Sequence, residues 1–282
     1  MLTLLEVLQR TSQFLAEKGV PDARLNAELL IGHVMGLRRL DLYLQFERPM
    51  EEHNLAQLRP LLRRRGQREP LQYLIGPMPF AGCQLKVDAR ALVPRPETEL
   101  LFERIIEHLG TTRPVRILDL GTGTGALALA LANHFPDAHV IASDNSEDAL
   151  ALANDNAKLN QLDDRVSFRC GSWWQVVADG DAFDLVVSNP PYLTPAELQS
   201  AEPEVARHDP PLALVSGVDG LDALRCIIQG ASSRLVSGGL LALESGINHR
   251  EALSQAFSDL KWGHHWGEDD LSSRHRFYFA KR

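Results

Sequence analysis

The N-terminal part of the chain repeats apolar residues at every third or fourth position, and this spacing predicts amphipathic helices. We predict three of them, at Thr3 to about Glu17, Ala23 to about Gly36, and about Glu51 to Arg65. Residues 19–22 read Gly-Val-Pro-Asp, which ends one helix and starts the next, with Asp22 as the predicted N-cap. The following segment, 70–92, is rich in Pro and Gly and has only short apolar pieces, which predicts a hairpin-like connector.

From residue 97 onward, helical periods alternate with short apolar runs, a pattern typical of a parallel sheet covered by helices. The predicted strands are 115–120, 139–143, 165–170, 183–188 and 239–244, and the predicted helices are about 98–109, 126–135, 146–160 and 221–236. Ser146 is the predicted N-cap of its helix, with Glu147 and Asp148 in the favourable first turn. Residues 193–220 show little periodicity and predict a long functional loop, and the alternation at 274–280 predicts an edge or antiparallel strand.

The predicted strand at 115–120 runs into a glycine-rich loop, Gly121-Thr122-Gly123-Thr124-Gly125, and then into an alanine-rich helix. This order of strand, glycines and helix lets the backbone approach a nucleotide closely. Gly121, Gly123 and Ala126 also satisfy the dinucleotide fingerprint, so NAD is one candidate ligand. Asp119 favours another, because an acid is awkward beside a pyrophosphate and suits the cationic amino group of S-adenosylmethionine. Asp144, at the end of the next strand, is placed to bind both ribose hydroxyls of either ligand.

The predicted strand at 183–188 ends in the tetrapeptide Asn189-Pro190-Pro191-Tyr192, at the sheet edge where open α/β sheets bind ligands. Two prolines cannot continue a sheet ladder, so their carbonyls are left to accept other hydrogen bonds. Asn189 offers a further acceptor and Tyr192 a flat face. Together they suit a planar group with an NH2, such as an amide or a nucleobase amine. With Asp119, the tetrapeptide favours S-adenosylmethionine over NAD.

These motifs resemble those of class I methyltransferases and, more narrowly, those of the release factor glutamine methyltransferases. The narrower resemblance rests on Glu-Pro-Leu-Gln-Tyr-Leu-Ile-Gly at 69–76, Val-Pro-Arg-Pro-Glu-Thr-Glu at 93–99, Asp-Pro-Pro-Leu-Ala-Leu at 209–214, Gly217, and Asp-Gly-Leu at 219–221. The tetrapeptide alone is shared with adenine-N6 DNA and guanine-N2 RNA methyltransferases. The resemblance implies an α/β protein of the class I methyltransferase (Rossmann-like) fold, with a mostly parallel doubly wound sheet and a small N-terminal helical domain.

The resemblance also implies a division of labour along the chain. Residues 1–80 would form a helical substrate-recognition domain, 81–97 a hairpin-like connector, and 98–282 the S-adenosylmethionine-dependent methyltransferase domain. Asn189, Pro190, Pro191 and Tyr192 would hold the target glutamine. The implied cofactor-binding residues are Asp119, Gly121, Thr122, Gly123, Thr124, Gly125, Asp144, Trp173 and Asn189. In many related enzymes an acid after the third strand contacts the adenine amine. Here residues 171–173 read Gly-Ser-Trp, so the acid is missing and Trp173 is expected to pack against the adenine. The alternative for Trp173 and Trp174 is core packing.

The expected reaction is methyl transfer from S-adenosylmethionine to the side-chain nitrogen (N5) of the glutamine in the Gly-Gly-Gln motif of peptide chain release factors. S-adenosylhomocysteine would be the product. Two other substrates remain open: a ribosomal protein, methylated by a sister enzyme with the same motifs, and an amino group of a nucleic acid. A third reading, from another class, is an NAD enzyme or a nucleotide-binding protein without catalysis.

Charge and composition narrow these choices. Residues 1–80 carry a net charge of +2 and residues 81–282 one of −10, and the acidic part argues against a large nucleic-acid footprint there. A basic cluster (Arg59, Arg63, Arg64, Arg65 and Arg68) is interpreted as a solvated helix face, with contact to a partner protein or RNA as the alternative. No apolar run of about 18 residues is present, and the three Cys and ten His show no metal-ligand spacing. We expect a cytoplasmic monomer without a metal, a membrane span or direct nucleic-acid binding.

Three further residues are left without a firm role by the sequence. Glu244 ends the strand predicted at 239–244, where an ordinary strand-end acid and a functional one are both possible. Arg95 and Glu97 lie in the 93–99 motif, and nothing in their spacing assigns them a task.

Overall fold

The computed structural model describes all 282 residues, which form two compact units, Met1–Gly76 and Pro77–Arg282. The first unit is helical and confirms the three predicted helices. Its helices are α1 (Leu4–Glu17), α2 (Ala23–Met35), α3 (Arg39–Tyr43), α4 (Glu52–Gly66) and α5 (Leu71–Ile75). A capping box starts α1, since the Thr3 hydroxyl accepts from the Glu6 N–H and the Glu6 carboxylate accepts from the Thr3 N–H. Leucines on the inner faces of α1 and α2 build the core of this unit.

The predicted N-cap role of Asp22 is wrong. Asp22 has a φ of 48°, in the left-handed region, and its side chain accepts no capping hydrogen bond. A capping oxygen reaches the first-turn N–H groups only from extended backbone, which the preceding Pro21 and this φ do not provide here. The Asn26 side chain stabilises the turn instead, because its NH2 donates to the carbonyls of Pro21 and Asp22 at 3.0 and 3.2 Å.

The basic cluster, which lies on α4 except for Arg68, is only partly a solvated face. Arg65 is buried, and its Nε donates to Asn26 Oδ1 at 2.7 Å, so the solvated-face interpretation is wrong for this residue. Arg59 pairs with Glu52 at 2.8 Å on the surface. The cluster therefore serves partly to hold helices of the first unit together.

The second unit contains a two-stranded hairpin and a seven-stranded sheet. Its strands are β1 (Met78–Phe80), β2 (Cys83–Leu85), β3 (Arg116–Leu120), β4 (His139–Asp144), β5 (Val166–Cys170), β6 (Phe183–Ser188), β7 (Leu235–Glu244), β8 (His264–Asp269) and β9 (His275–Lys281). Its helices are α6 (Pro96–Leu109), α7 (Ala126–His134), α8 (Glu147–Leu159), α9 (Pro195–Ser200), α10 (Pro203–His208), α11 (Asp222–Arg234) and α12 (Arg250–Asp259). The antiparallel pairing of β1 with β2 confirms the predicted hairpin.

The large sheet has the strand order β5-β4-β3-β6-β7-β9-β8. The first five strands are parallel, and β9 runs antiparallel between β7 and β8, as predicted for the C-terminal strand. The chain builds β4 and β5 on one side of β3 and then returns to place β6 on the other. The carboxyl ends of β3 and β6 therefore form the switch point where open α/β sheets bind ligands.

Several predicted boundaries in the C-terminal half are wrong. Strand β7 has ten residues and follows α11 directly, whereas the sequence predicts a helix to 236 and a strand from 239. Residues 193–220 are not one long loop, because they contain α9, α10 and a short 3-10 helix at Pro211–Ala213. Helices of six residues are too short to show a helical period. Helix α12 and strand β8 have no counterpart in the prediction, and β8 reads His-His-Trp-Gly-Glu-Asp, without apolar alternation.

Helices cover both faces of the sheet. One face packs against α6 and α7, and the other against α11 and α12. Helix α7 is buried almost all round, which its alternating Ala and Leu residues permit because the small side chains let neighbours approach. The Ser188 hydroxyl donates to the Leu120 carbonyl at 2.5 Å and joins the ends of β6 and β3. None of the helices has the length and apolar character needed to cross a membrane.

Two asparagines of the α8 end bind the backbone of the hairpin. The Asn160 side chain accepts from the Gln84 N–H and donates to the Gln84 carbonyl, both at 2.8 Å. Asn156 does the same at Lys86, at 2.7 and 3.0 Å, and its NH2 also donates to the Thr124 carbonyl at 2.9 Å. These amides connect the hairpin, α8 and the glycine loop of the second unit.

Candidate active site

The glycine loop is held against the end of β4 by its own backbone. The N–H groups of Gly121 and Thr122 both donate to the Ser143 carbonyl at 2.8 Å. Gly121 has a φ of 73°, which a side chain would strain, and a Cβ there would lie 3.6 Å from the Trp173 ring. The loop is therefore held beside the end of β4, and its residues line a cavity.

The carboxyl group of Asp119 is buried in the wall of this cavity and has a strongly raised pKa. It is 1% exposed, and its Oδ2 accepts from the Thr122 hydroxyl at 2.7 Å and the Ala128 N–H at 3.2 Å. Its Oδ1 is buried without any hydrogen-bond partner, and the side chain lines the cavity. Burial raises the pKa of this carboxyl to about 7, although both hydrogen bonds oppose the shift. A buried carboxylate oxygen without a partner suits a cationic ligand.

Asp144 lines the same cavity from the end of β4. Its Oδ2 accepts from the Gly123 N–H and its Oδ1 from the Ser146 N–H, both at 3.0 Å. The Ser146 hydroxyl accepts from the Ala149 N–H at 3.2 Å, which confirms the predicted N-cap. A carboxylate has about four acceptor positions, so Asp144 can bind hydroxyl donors while it keeps both backbone bonds.

The two neighbouring tryptophans have different surroundings. Trp173 has a φ of 45°, a backbone region that is costly for a bulky residue, and its ring lies beside Gly121 and lines the cavity. Trp174 packs over Gly230, and its Nε1 donates to the Cys226 carbonyl at 3.0 Å. Only Trp173 therefore faces the cavity, and Trp174 fixes the turn that presents it.

The tetrapeptide begins at the end of β6, and its first residue lies on the cavity wall. Asn189 and Pro191 line the cavity. The Asn189 Nδ2 donates to Thr98 Oγ1 at 3.0 Å, and its Oδ1 has no hydrogen-bond partner within the protein. Pro190 is buried, and its carbonyl accepts no hydrogen bond from the protein. This arrangement leaves two acceptors of the tetrapeptide unused.

Tyr192 does not line the cavity but is fixed beside it. Its hydroxyl donates to Glu244 Oε1 at 3.0 Å, and the Arg276 guanidinium carbon lies 5.8 Å from its ring centroid. Burial and the neighbouring Glu244 charge raise the pKa of this phenol far above its usual range. Tyr192 is therefore neutral, and its hydroxyl is held by Glu244.

The 93–99 and 209–214 motifs meet around the cavity. Arg95 Nη2 donates to Asp209 Oδ2 at 2.7 Å, and the Asp209 carboxylate is buried. Burial raises the pKa of Asp209, and the Arg95 charge opposes the shift. Pro210 and Leu212, next to this ion pair, line the cavity. The structure thus gives Arg95, which the sequence left without a role, the task of holding one wall in place.

Comparisons with known proteins identify the chain. Two family models match it, the PrmC N-terminal domain over residues 6–76 and the Methyltransferase small domain over residues 97–207. The release factor glutamine methyltransferase of Deinococcus radiodurans is 42% identical over 281 residues, covering 100% of this chain and 99% of that one. The enzyme of that name from Geobacter sulfurreducens is 40% identical over 256 residues, covering 91% and 88%. The chain belongs to the release factor glutamine methyltransferase family.

Solved methyltransferase structures share the fold of this chain. A T. thermophilus 16S rRNA N2 methyltransferase in complex with AdoMet and guanosine superposes with a TM-score of 0.54 at 21% identity, covering 73% of this chain and 49% of that one. The N-terminal domain of human METTL16 in complex with SAH gives 0.52 at 15% identity, covering 71% and 75%. The predicted class I methyltransferase fold is confirmed, and the protein is a methyltransferase.

Most of the residues expected to bind the cofactor lie together. Eight of the nine line one cavity, and Gly125 is the exception. A Cβ on Gly125 would lie 3.3 Å from Ala153 of α8, so this glycine permits close packing of α7 and α8. Sequence reasoning missed Thr98, Pro210 and Leu212, which also line the cavity. All three lie in the 93–99 and 209–214 motifs, but nothing in the sequence indicated that their side chains face the cavity. No group of three or more His, Cys, Asp or Glu side chains is arranged to hold a metal.

Gly220→Ala is expected to inactivate the methyltransferase largely without abolishing cofactor binding. Gly220 has a φ of 78°, and a Cβ there would lie 2.3 Å from the Tyr192 carbonyl oxygen, which must therefore move. A shift of about 1 Å at a reacting group can cost on the order of 100-fold in rate. Turnover and ligand affinity of the purified variant would check this. Gly238→Ala is the matched control, because its φ is 80° but no atom lies within 4 Å of the added Cβ. Equal turnover of the two variants would contradict the expectation.

Proposed function

We propose that this protein transfers a methyl group from S-adenosylmethionine to the side-chain N5 of the glutamine in the Gly-Gly-Gln motif of peptide chain release factors. One observation carries the proposal: Asn189 and the glycine loop line the same cavity. A planar amide bound by the tetrapeptide would therefore lie beside a nucleotide-type ligand bound by the loop. The names of relatives that match along at least 91% of the chain support the same activity.

The residues around the cavity fit S-adenosylmethionine. Asp119 Oδ1 is buried without a partner, and a cationic amino group would provide one. Asp144 would accept from ribose hydroxyls, and the Trp173 ring offers a flat apolar face for adenine. When bound, S-adenosylmethionine supplies an electrophilic methyl group on a sulfonium. The same bare carboxylate oxygen would repel the pyrophosphate of NAD.

The affinity for S-adenosylmethionine is expected to rise with pH up to about 7. The Asp119 pKa is about 7 in the free protein, so below that pH a proton must leave before the carboxylate can bind a cation. Affinity should therefore fall by up to about tenfold for each pH unit below about 7. Calorimetry between about pH 5.5 and about pH 7.5, with proton release read from buffers of different ionisation enthalpy, measures this slope. Asp119→Asn should bind weakly at every pH, and a flat profile for the wild type would rule out the coupling.

The tetrapeptide supplies what an amide substrate needs. The lone pair of an amide nitrogen is delocalised into its carbonyl, so the nitrogen is a poor nucleophile and must be held in place as it pyramidalises. Asn189 Oδ1 and the Pro190 carbonyl can accept its two N–H groups and stabilise the positive charge that develops there. The Tyr192 ring flanks the amide plane. The methylated nitrogen becomes acidic, so its proton can pass to water without a strong base.

Methyl transfer from labelled S-adenosylmethionine to purified release factor, ribosomes and DNA tests the proposal. We expect the release factor to be labelled and its Gln→Ala variant in the Gly-Gly-Gln motif to remain unlabelled. The second unit carries a net charge of −10, which disfavours DNA and RNA. Labelling of a ribosomal protein or of DNA, with an unlabelled release factor, would refute the proposal. Thermal shifts with S-adenosylmethionine and NAD would test the choice of ligand.

Removing residues 1–76 is expected to separate cofactor binding from substrate selection. The second unit has its own core and contains the entire cavity, so it should still bind S-adenosylmethionine. The cut is placed after Gly76 because β1 starts at Met78 and pairs with β2. Methylation of intact release factor should fall strongly, because the helical unit is proposed to select the substrate. Full activity of the truncated enzyme on intact release factor would place substrate selection in residues 77–282.

A further inference from the structure

A buried carboxylate at the end of β7 contacts side chains that lead to both ends of the tetrapeptide. Glu244 is 1% exposed. Its Oε2 accepts from the Thr98 hydroxyl at 2.7 Å, and its Oε1 accepts from the Tyr192 hydroxyl at 3.0 Å. Thr98 in turn contacts Asn189. Glu244 itself does not line the cavity, so its two hydrogen bonds need an explanation other than ligand contact.

The hydrogen-bond capacities of these groups fix the orientation of the Asn189 amide. A hydroxyl has one proton, and Thr98 gives its proton to the Glu244 carboxylate. Thr98 can therefore offer only lone pairs to Asn189, and an amide meets a lone pair with its NH2. The Asn189 Nδ2 lies 3.0 Å from Thr98 Oγ1, as this requires. The opposite end of the amide, Oδ1, is then left to face the cavity as an acceptor.

The hydrogen bonds of the Tyr192 hydroxyl can be assigned in the same way. The Tyr192 hydroxyl gives its proton to Glu244 and accepts from Arg276 Nη1 at 3.3 Å. Burial raises the pKa of the Glu244 carboxyl, and the hydrogen bonds from Thr98 and Tyr192 oppose that shift. The acceptor role of Glu244 rests on the geometry, in which each of its two oxygens accepts from one hydroxyl, and the phenol ring is thereby fixed at its polar end.

We propose that Glu244 and Thr98 are positioning residues that orient the Asn189 amide so that its oxygen, not its nitrogen, meets the substrate NH2. This inference rests on the proposed function, in which that oxygen accepts from the glutamine amide. Neither residue exchanges a proton with the substrate. Reversal of the Asn189 amide would place two NH2 groups against each other and leave the substrate without its acceptor.

Thr98→Val is the sharpest test, because it keeps the shape of the side chain and removes only the hydroxyl. With no acceptor at this position, the amide loses its fixed orientation, and kcat should fall about 10- to 100-fold, as when a partner behind an active-site group is lost. Thr98→Ser restores the hydroxyl and should return kcat close to the wild-type value. Because Thr98 also lines the cavity, the affinity for S-adenosylmethionine can shift in both variants, but calorimetry should show a much smaller change in affinity than in kcat. Thr11→Val, at a buried threonine of α1, controls for a generic loss of a buried hydroxyl.

Glu244→Gln probes the other partner at nearly constant volume. Its NH2 would face either the Thr98 or the Tyr192 hydroxyl and reverse that hydrogen bond, so kcat should fall while cofactor affinity stays. Turnover is measured on whichever of release factor, ribosomes or DNA the wild-type enzyme methylates. Failure of the proposed function then shows in the wild type alone, and the ratio of variant to wild type still tests the positioning role.

NMR of the 15N-labelled Asn189 side chain tests the orientation without any substrate. Its NH2 protons should exchange slowly with solvent in the wild type and in Thr98→Ser, and faster in Thr98→Val. Wild-type kcat in Thr98→Val would overturn the inference. So would a serine variant as slow as the valine variant, or unchanged exchange of the NH2 protons in Thr98→Val.

Discussion

Asn189→Ala is expected to lower methylation of the release factor about 100- to 1000-fold, the usual effect of removing one preorganised hydrogen-bond partner at a reacting centre. The affinity for S-adenosylmethionine should change little. The physical reason is that Asn189 Oδ1 is an unused acceptor on the cavity wall, whereas the loop that would hold the cofactor is fixed by other residues. Single-turnover rates with release factor, together with calorimetry, check both parts.

Asn189→Asp is the sharper companion to this variant. It keeps an acceptor toward the substrate but removes the NH2 that Thr98 accepts, and it adds a charge that must be desolvated close to Glu244. We expect partial activity at best. If Asn189→Ala methylates the release factor at the wild-type rate, the tetrapeptide is only a stiff turn and the proposed mechanism is falsified.

Asp144→Ala is expected to weaken S-adenosylmethionine binding by one to several kcal/mol. Two charge-assisted hydrogen bonds to the ribose would be lost, each worth roughly 1.5–3 kcal/mol. The structure adds a second cost, because the Gly123 and Ser146 N–H groups also lose their acceptor and the glycine loop loses a support. Calorimetry measures the affinity, and circular dichroism with thermal unfolding confirms that the variant is folded.

Asp144→Asn separates the two contributions. Its side-chain oxygen can still accept one backbone N–H, but the charge is gone and the NH2 cannot accept from a ribose hydroxyl. An affinity between those of Ala and the wild type would assign part of the effect to the loop. A folded Asp144→Ala that binds S-adenosylmethionine as tightly as the wild type would remove Asp144 from the cofactor site.

The part of the site that could be predicted lies at strand ends with strong local signals. Strands β3, β4 and β6 are apolar runs. Asp119 is the next-to-last residue of β3, Asp144 ends β4, and Asn189 follows β6. Because parallel strands end at the same sheet edge, these residues had to come together once the sheet was recognised. The glycine loop and the two prolines of the tetrapeptide are local motifs, so each could be recognised within one short stretch of sequence.

The unpredicted part depends on contacts between distant segments. Thr98 and Glu244 are 146 residues apart, and Arg95 and Asp209 are 114 apart. The first contact follows from the packing of α6 on β7, and the second joins the start of α6 to the end of α10; no local pattern reveals either. The sequence therefore left both an ordinary strand-end acid and a functional one open for Glu244, and Arg95 had no visible partner. The prediction for Asp22 was wrong for a local reason. Asp is a suitable N-cap residue type, but the backbone at Asp22 has an unsuitable, left-handed conformation.

The asparagine contacts of the hairpin have a consequence for the solubility of this protein. A strand with unpaired N–H and C=O groups along one side can pair with a strand of another molecule and start aggregation. Asn156 and Asn160 satisfy both groups of Lys86 and of Gln84, so their amides occupy the positions that an incoming strand would use. The second unit thus blocks this edge with two side chains instead of a further strand. Loss of the Asn160 amide would uncover a short template for edge-to-edge association, whereas loss of the Asn156 amide would also remove the donor to the Thr124 carbonyl on the cavity wall.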